Sequence, residues 1–170
     1  EKYSEYILNF PPIFIADDKS IRFTGSTLFK DMFNPDEYTI QELEHVMTMV
    51  FPDVRTKKFM EIRMMDAVPY PLNFSAAALI KGLLYDENNL EKLYDFAKDV
   101  REEEVLRTKE ELVKKGLYAE FKGKTLLDAG NYIVQLAKNA LSERERKYLL
   151  PLEEMLRHNK NPYEITREKS

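Results

Sequence analysis

Glu61 and Arg63 stand two residues apart in the run Val54-Arg55-Thr56-Lys57-Lys58-Phe59-Met60-Glu61-Ile62-Arg63-Met64-Met65-Asp66. On a strand, residues two apart share a face at roughly 6.5 Å. At that spacing a carboxylate can hold a divalent cation while a guanidinium grips a phosphate that the cation also touches. Read with a period of two, Arg55, Lys57, Phe59, Glu61 and Arg63 share one face, and Met60, Ile62 and Met64 share the other. The pattern describes a strand that buries its apolar face and turns charge toward a site. It equally describes a solvated strand carrying an ordinary Glu–Arg pair, and alternation alone does not separate the two.

Other chemistries are excluded more firmly. The chain has no cysteine, so it forms no disulfide, thiolate nucleophile or thiolate metal site. Its five glycines fall in neither a GxGxxG nor a GxxxxGK frame, which removes the glycine-loop nucleotide sites. His45 lies among Glu42, Glu44 and Thr48, and His158 lies near the C-terminus; both read as surface residues. Neither has a second ligand at metal spacing, so no zinc site is expected. A net charge of −4 argues against nucleic acid or an anionic membrane as partner. No apolar run approaches the ~20 residues of a membrane-spanning helix. The N-terminus shows no basic segment leading into an apolar stretch and so no secretory signal, and the absence of cysteine makes the expected location cytoplasmic.

The elements that position the Glu61 strand read as a small piece of sheet followed by helices, an α+β chain. Residues 12–16 and 20–24 are β-rich and flank Asp17-Asp18-Lys19, which suggests a hairpin. Residues 27–33 suggest a helical turn. Thr39-Ile40-Gln41-Glu42 is a capping box, and Ile40, Leu43, Val46, Met47 and Val50 follow at helical spacing. Beyond 54–66 the chain reads as wholly helical. Residues 73–85 carry Ala76, Ala77, Ala78 and Gly82, small enough for close packing onto a sheet. Helices then run over 88–99, 101–115, 125–141 and 143–157, two of them opened by the boxes Thr125…Asp128 and Ser142…Glu145. Mixed charge over 98–115 marks a solvated helix face. Pro151 should kink or break the last helix. One domain is expected over 1–158, with 159–170 as a fraying tail.

Residues 51–66, beginning Phe51-Pro52-Asp53-Val54-Arg55 and continuing Phe59-Met60-Glu61-Ile62-Arg63 to Asp66, closely resemble a stretch of the plant and bacterial glutamate–cysteine ligase family. There the pattern is Phe-Pro-Glu-Val-Arg followed by Tyr-Leu-Glu-Met-Arg and Asp. Gly82-Leu83-Leu84-Tyr85-Asp86 resembles the end of the next helix of that family. Pro12-Ile13-Phe14-Ile15, Phe23-Thr24-Gly25-Ser26 and Ala137-Lys138-Asn139-Ala140-Leu141 resemble further segments, so the likeness runs over about 6–160. The family is in turn similar to glutamine synthetase in architecture.

The resemblance implies an ATP-dependent ligase that makes γ-glutamylcysteine from glutamate and cysteine through a γ-glutamyl phosphate. It implies that Glu61 is a ligand of Mg²⁺ and that Arg63 contacts the phosphate or acyl phosphate. It also implies that this chain is the C-terminal part of a larger enzyme, since most of the sheet and most metal ligands would lie in an N-terminal remainder. The first residues, Glu1-Lys2-Tyr3, fit a cut-out piece, which alone should be inactive. Residues 67–72 (Ala-Val-Pro-Tyr-Pro-Leu) depart from the plant pattern of Gly and Trp-Arg-Arg, so contacts to substrate do not carry over there. Two alternatives stand beside this reading: a glutamate ligase of the same family with another amine, and a non-catalytic helical interaction domain.

Overall fold

A computed structural model describes residues 2–16, 20–32, 34, 36–37 and 39–168. Its elements fall into two compact units, Glu1–Met65 and Asp66–Ser170, where one domain to residue 158 was expected.

The first unit opens with helix α1 (Lys2–Leu8), a segment that the sequence did not mark. What holds it is burial: Ile7 packs with Phe29, Val46 and Met49, and Tyr3, Phe14, Leu43 and Met47 close around them. Strands β1 (Phe14–Ala16) and β2 (Ile21–Phe23) form the expected antiparallel hairpin, pairing Phe14 with Phe23 and Ala16 with Ile21. Its turn residues 17–19 lie outside the described residues. A 3₁₀ turn at Phe29–Asp31 buries Phe29. Helix α2 (Ile40–Met49) starts at its capping box: Glu42 N–H donates to Thr39 Oγ1 (3.2 Å), and Thr39 N–H donates to Glu42 Oε2 (2.7 Å).

Residues 54–66 differ from the expected single strand. They form a second hairpin, β3 (Val54–Thr56) against β4 (Met60–Ile62), tightened by Lys57 N–H donating to the Phe59 carbonyl at 2.8 Å. The burial is also inverted. Met60 and Met64 are 70% and 57% exposed, whereas Arg55 is 6% exposed. The arginine can be interior because each of its three nitrogens faces an acceptor, described below.

The second unit is a helical assembly. It comprises α3 (Leu72–Leu84), α4 (Glu87–Ala97), α5 (Glu102–Lys115), a 3₁₀ turn at Gly116–Tyr118, and a third hairpin of β5 (Glu120–Phe121) and β6 (Lys124–Thr125). That hairpin was not expected. Its two turn residues, Lys122 and Gly123, have φ of +51° and +73°, the left-handed pair that closes a two-residue β-turn. Helix α6 (Leu126–Ala140) follows, capped by Thr125 Oγ1, which accepts from Asp128 N–H at 3.1 Å.

The expected helix 143–157 is three pieces: α7 (Glu143–Arg146), a 3₁₀ turn at Lys147–Leu149, and α8 (Leu150–Arg157). Pro151 sits in the first turn of α8, where its missing N–H costs no helical bond. Residues 162–168, read as tail, form α9 (Pro162–Glu168), with Asn161 Oδ1 accepting from Glu164 N–H at 2.9 Å.

The core of this unit is Ala78, Val134, Ala137, Leu141, Leu149 and Leu156. The small residues of α3 therefore serve a helix, not a sheet. A Cβ built at Gly82 would lie 2.5 Å from the Ala137 carbonyl oxygen of α6. Asn89 of α4 is buried at the same crossing and donates from Nδ2 to Gly82 O (2.8 Å) and Leu136 O (2.9 Å).

Candidate functional site

The β3–β4 register places Arg55 directly opposite Glu61. Arg55 Nε and Nη2 lie 2.8 and 2.7 Å from Glu61 Oε2. Arg55 Nη1 reaches the other way, to the carbonyls of Thr48 (3.0 Å), Val50 (3.3 Å) and Met47 (3.4 Å). These carbonyls stand at the C-terminal end of α2, where a helix leaves acceptors without partners and favours positive charge. One buried guanidinium thus closes a helix end and holds a carboxylate.

The other side of Glu61 faces Arg63, whose Nη1 donates to Oε1 at 3.0 Å. Arg63 is fixed at its backbone by an N–H bond to the Asp53 carbonyl (2.8 Å), and its guanidinium lies 5.0 Å from the centre of the Phe51 ring. Lys57 Nζ stands 3.8 Å from Oε2. Glu61 and Arg63 side chains are 29% and 28% exposed, so the pair is reachable while Arg55 is not.

Three cations around one carboxylate leave the cluster with two net positive charges. The hydrogen bond from Arg55 does most to hold the Glu61 carboxyl below its ordinary range, with Arg63 and Lys57 adding to it against the effect of burial. Such a cluster keeps Glu61 ionised and attracts an anion.

The fit to a metal is narrower. Among the described residues no group of three or more His, Asp or Glu side chains is placed to hold an ion. A carboxylate has about four acceptor positions. Arg55 donates from Nε to Oε2 and stands against that oxygen with Nη2 as well, and Arg63 donates to Oε1. Glu61 therefore fits as one hard-oxygen ligand through Oε1, which suits Mg²⁺ bound mainly by phosphate oxygens.

The structure thus brings Glu61 and Arg63 together as the strand spacing implied, and joins to them an arginine to which the sequence assigned no role. Arg55 was visible on the same alternating face, but only the hairpin sets it across from Glu61. His45, read as a surface residue, has its ring edge-on to Phe14 at 5.5 Å, and its buried Nε2 finds no partner among the described residues. The cause is the neighbouring β1, which covers that side of α2. His158 pairs with Glu154 at 2.7 Å on the surface.

The family model for glutamate–cysteine ligase family 2 matches residues 1–169. The chain is 30% identical to the chloroplastic glutamate–cysteine ligase of Solanum lycopersicum and 31% identical to that of Nicotiana tabacum, each over 96% of this chain and 33% of the relative. It is 32% identical to the chloroplastic glutamate–cysteine ligase A of Oryza sativa subsp. indica, over 86% of this chain and 31% of the relative. The chain therefore spans about a third of the length of the curated relatives it matches. Those relatives are named chloroplastic, which overturns the cytoplasmic location expected from the sequence.

Proposed function

This chain belongs to glutamate–cysteine ligase family 2, and from that premise we propose that it is a segment of an ATP-dependent ligase joining the γ-carboxyl of glutamate to the amine of cysteine. In that reaction the γ-carboxylate takes the terminal phosphoryl group of ATP. The cysteine amine then attacks the carbonyl carbon, gives up a proton, and phosphate leaves with the bonding electrons. The protein's part is to position the reactants and to stabilise charge on the transferring group.

The observation that carries this reading is the cationic cluster on Glu61, which lies inside the segment matching the family. Arg63 spends Nη1 on Glu61, and its planar fork has further donors for a phosphoryl oxygen. Lys57, half-exposed beside it, adds charge of the same sign. Glu61, kept ionised by its neighbours, offers Oε1 to Mg²⁺. When bound there, the ion supplies neutralisation of phosphate charge. The chain contributes one carboxylate to this purpose, so the remaining ligands belong to the rest of the ligase, and the segment alone is inactive.

The test is ADP release by the full-length ligase with glutamate, ATP and Mg²⁺, with and without cysteine, for the native protein and Glu61→Gln. The expected result is cysteine-stimulated release that falls more than about 100-fold in Glu61→Gln, because loss of an outer-shell partner alone typically costs 10–100-fold. Stimulation by a different amine would replace cysteine in this reading. Full activity in Glu61→Gln would remove the site, and an inert full-length protein would favour a helical interaction domain.

A further inference from the structure

We infer that Arg55 is the positioning residue of this site: it withdraws Oε2 of Glu61 and presents Oε1, beside Arg63, as the single carboxylate oxygen offered to a phosphate-bound divalent cation. The inference rests on the reading of this hairpin as part of a ligase site.

The geometry argues it in three steps. First, Arg55 cannot turn. Its fork is planar, Nη1 is anchored on three carbonyls of the α2 terminus, and its side chain is 7% exposed. Second, the opposite edge of the same plane donates Nε–H to Oε2 and holds Nη2 2.7 Å from that oxygen, so Oε2 is turned inward against a buried cation. Third, Oε1 carries a single bond from Arg63, leaving one open position next to the one guanidinium of the cluster that is partly exposed. A carboxylate free to rotate would offer either oxygen. Here the choice is made by a residue too deeply buried to touch a ligand.

Lysine could not do the same. Its ammonium is a point donor and cannot reach a helix end and a carboxylate in one rigid plane.

The test has two arms. In the full-length ligase, kcat and the KM values for ATP–Mg²⁺ and glutamate are measured for Arg55→Lys, Glu61→Gln and the double variant. Expected is a kcat loss of about 10–100-fold in Arg55→Lys, as for other partners that orient a metal ligand. The glutamate KM should hold, and no further loss should appear when Glu61→Gln is already present. Equal fold-losses in both backgrounds would mean that Arg55 serves only the fold, and would overturn the inference.

The second arm needs no turnover and no Arg55 variant. The side-chain Nε–H resonance of Arg55 in this chain should be slowly exchanging, and should move and exchange faster in Glu61→Gln. A resonance that does not respond overturns the inference even where Arg55→Lys fails to fold. If Glu61→Gln keeps full activity, the ligase-site reading fails and takes this inference with it. If Glu61→Gln is inactive and the two residues do not couple, the inference fails alone.

Discussion

Replacing Gly82 with alanine should destabilise the chain, although the same change in an exposed helix would strengthen it. An added Cβ would lie 2.5 Å from the Ala137 carbonyl oxygen, 2.7 Å from its Cα and 2.8 Å from its Cβ. None of these is the end of a flexible side chain, so α3 and α6 must separate by about 1 Å to regain ordinary contact. Overpacking of this kind costs about 1–3 kcal/mol. The Asn89 bonds to Gly82 O and Leu136 O, at 2.8 and 2.9 Å, bridge the same crossing and weaken with it, at about 0.5–1.5 kcal/mol each. Against this, alanine regains about 1 kcal/mol of helix propensity. The net expectation is a loss of about 2 kcal/mol. Urea unfolding of the 170-residue chain followed by helical circular dichroism reads it directly. With a slope near 2 kcal/mol per molar, the midpoint should fall by about 1 M. A midpoint that stays or rises would refute the close crossing, since propensity would then be the larger effect.

Two other changes test the second unit. Asn89→Leu removes the buried amide and leaves the Gly82 carbonyl, in the last turn of α3, facing apolar surroundings; an acceptor left so costs about 1–3 kcal/mol, which the same urea experiment would register as a midpoint below that of the native chain. Glu145 is held down to about 2, first by the hydrogen bond from Lys81 and then by those from Ser142. Its folded value lies below its unfolded one, so its contribution is present above the ordinary value of 4.5 and is lost as pH falls from there toward about 2. Thermal midpoints measured against pH should therefore fall less steeply through that window in Glu145→Gln, and parallel curves would refute the pairing.

What the sequence revealed follows from the range of the interactions involved. The caps at Thr39, Thr125 and Ser142 were legible because a cap and its partner are three residues apart; the full box forms at Thr39 and Ser142, while at Thr125 the hydroxyl caps Asp128 N–H without the return bond from its own backbone. Gly82 and the alanines of α3 announced a close approach, but composition does not say what approaches; it is α6. The period-two pattern at 54–66 put Glu61 and Arg63 on one face correctly. It missed the reversal at 57–59, which has neither Gly nor Pro to mark it. With the reversal went the inference that methionines are inside and arginine outside. Arg55 is interior because α2 ends beside it, a fact set by packing between elements and absent from either segment alone. The Lys122-Gly123 turn was overlooked because strands of two residues give no alternation to read.

The Asn89 amide has a consequence for how the second unit opens. It sits in the first turn of α4, where its own N–H is capped by Asp86 Oδ1 at 2.9 Å, and it fastens the last turn of α3 to the later part of α6. Detaching α4 therefore uncovers carbonyls on two other helices at once. Backbone protons in the start of α4, the end of α3 and the C-terminal half of α6 belong to one cooperative opening. Hydrogen exchange should find them with a common free energy, distinct from that of α9, which has no buried residue to share.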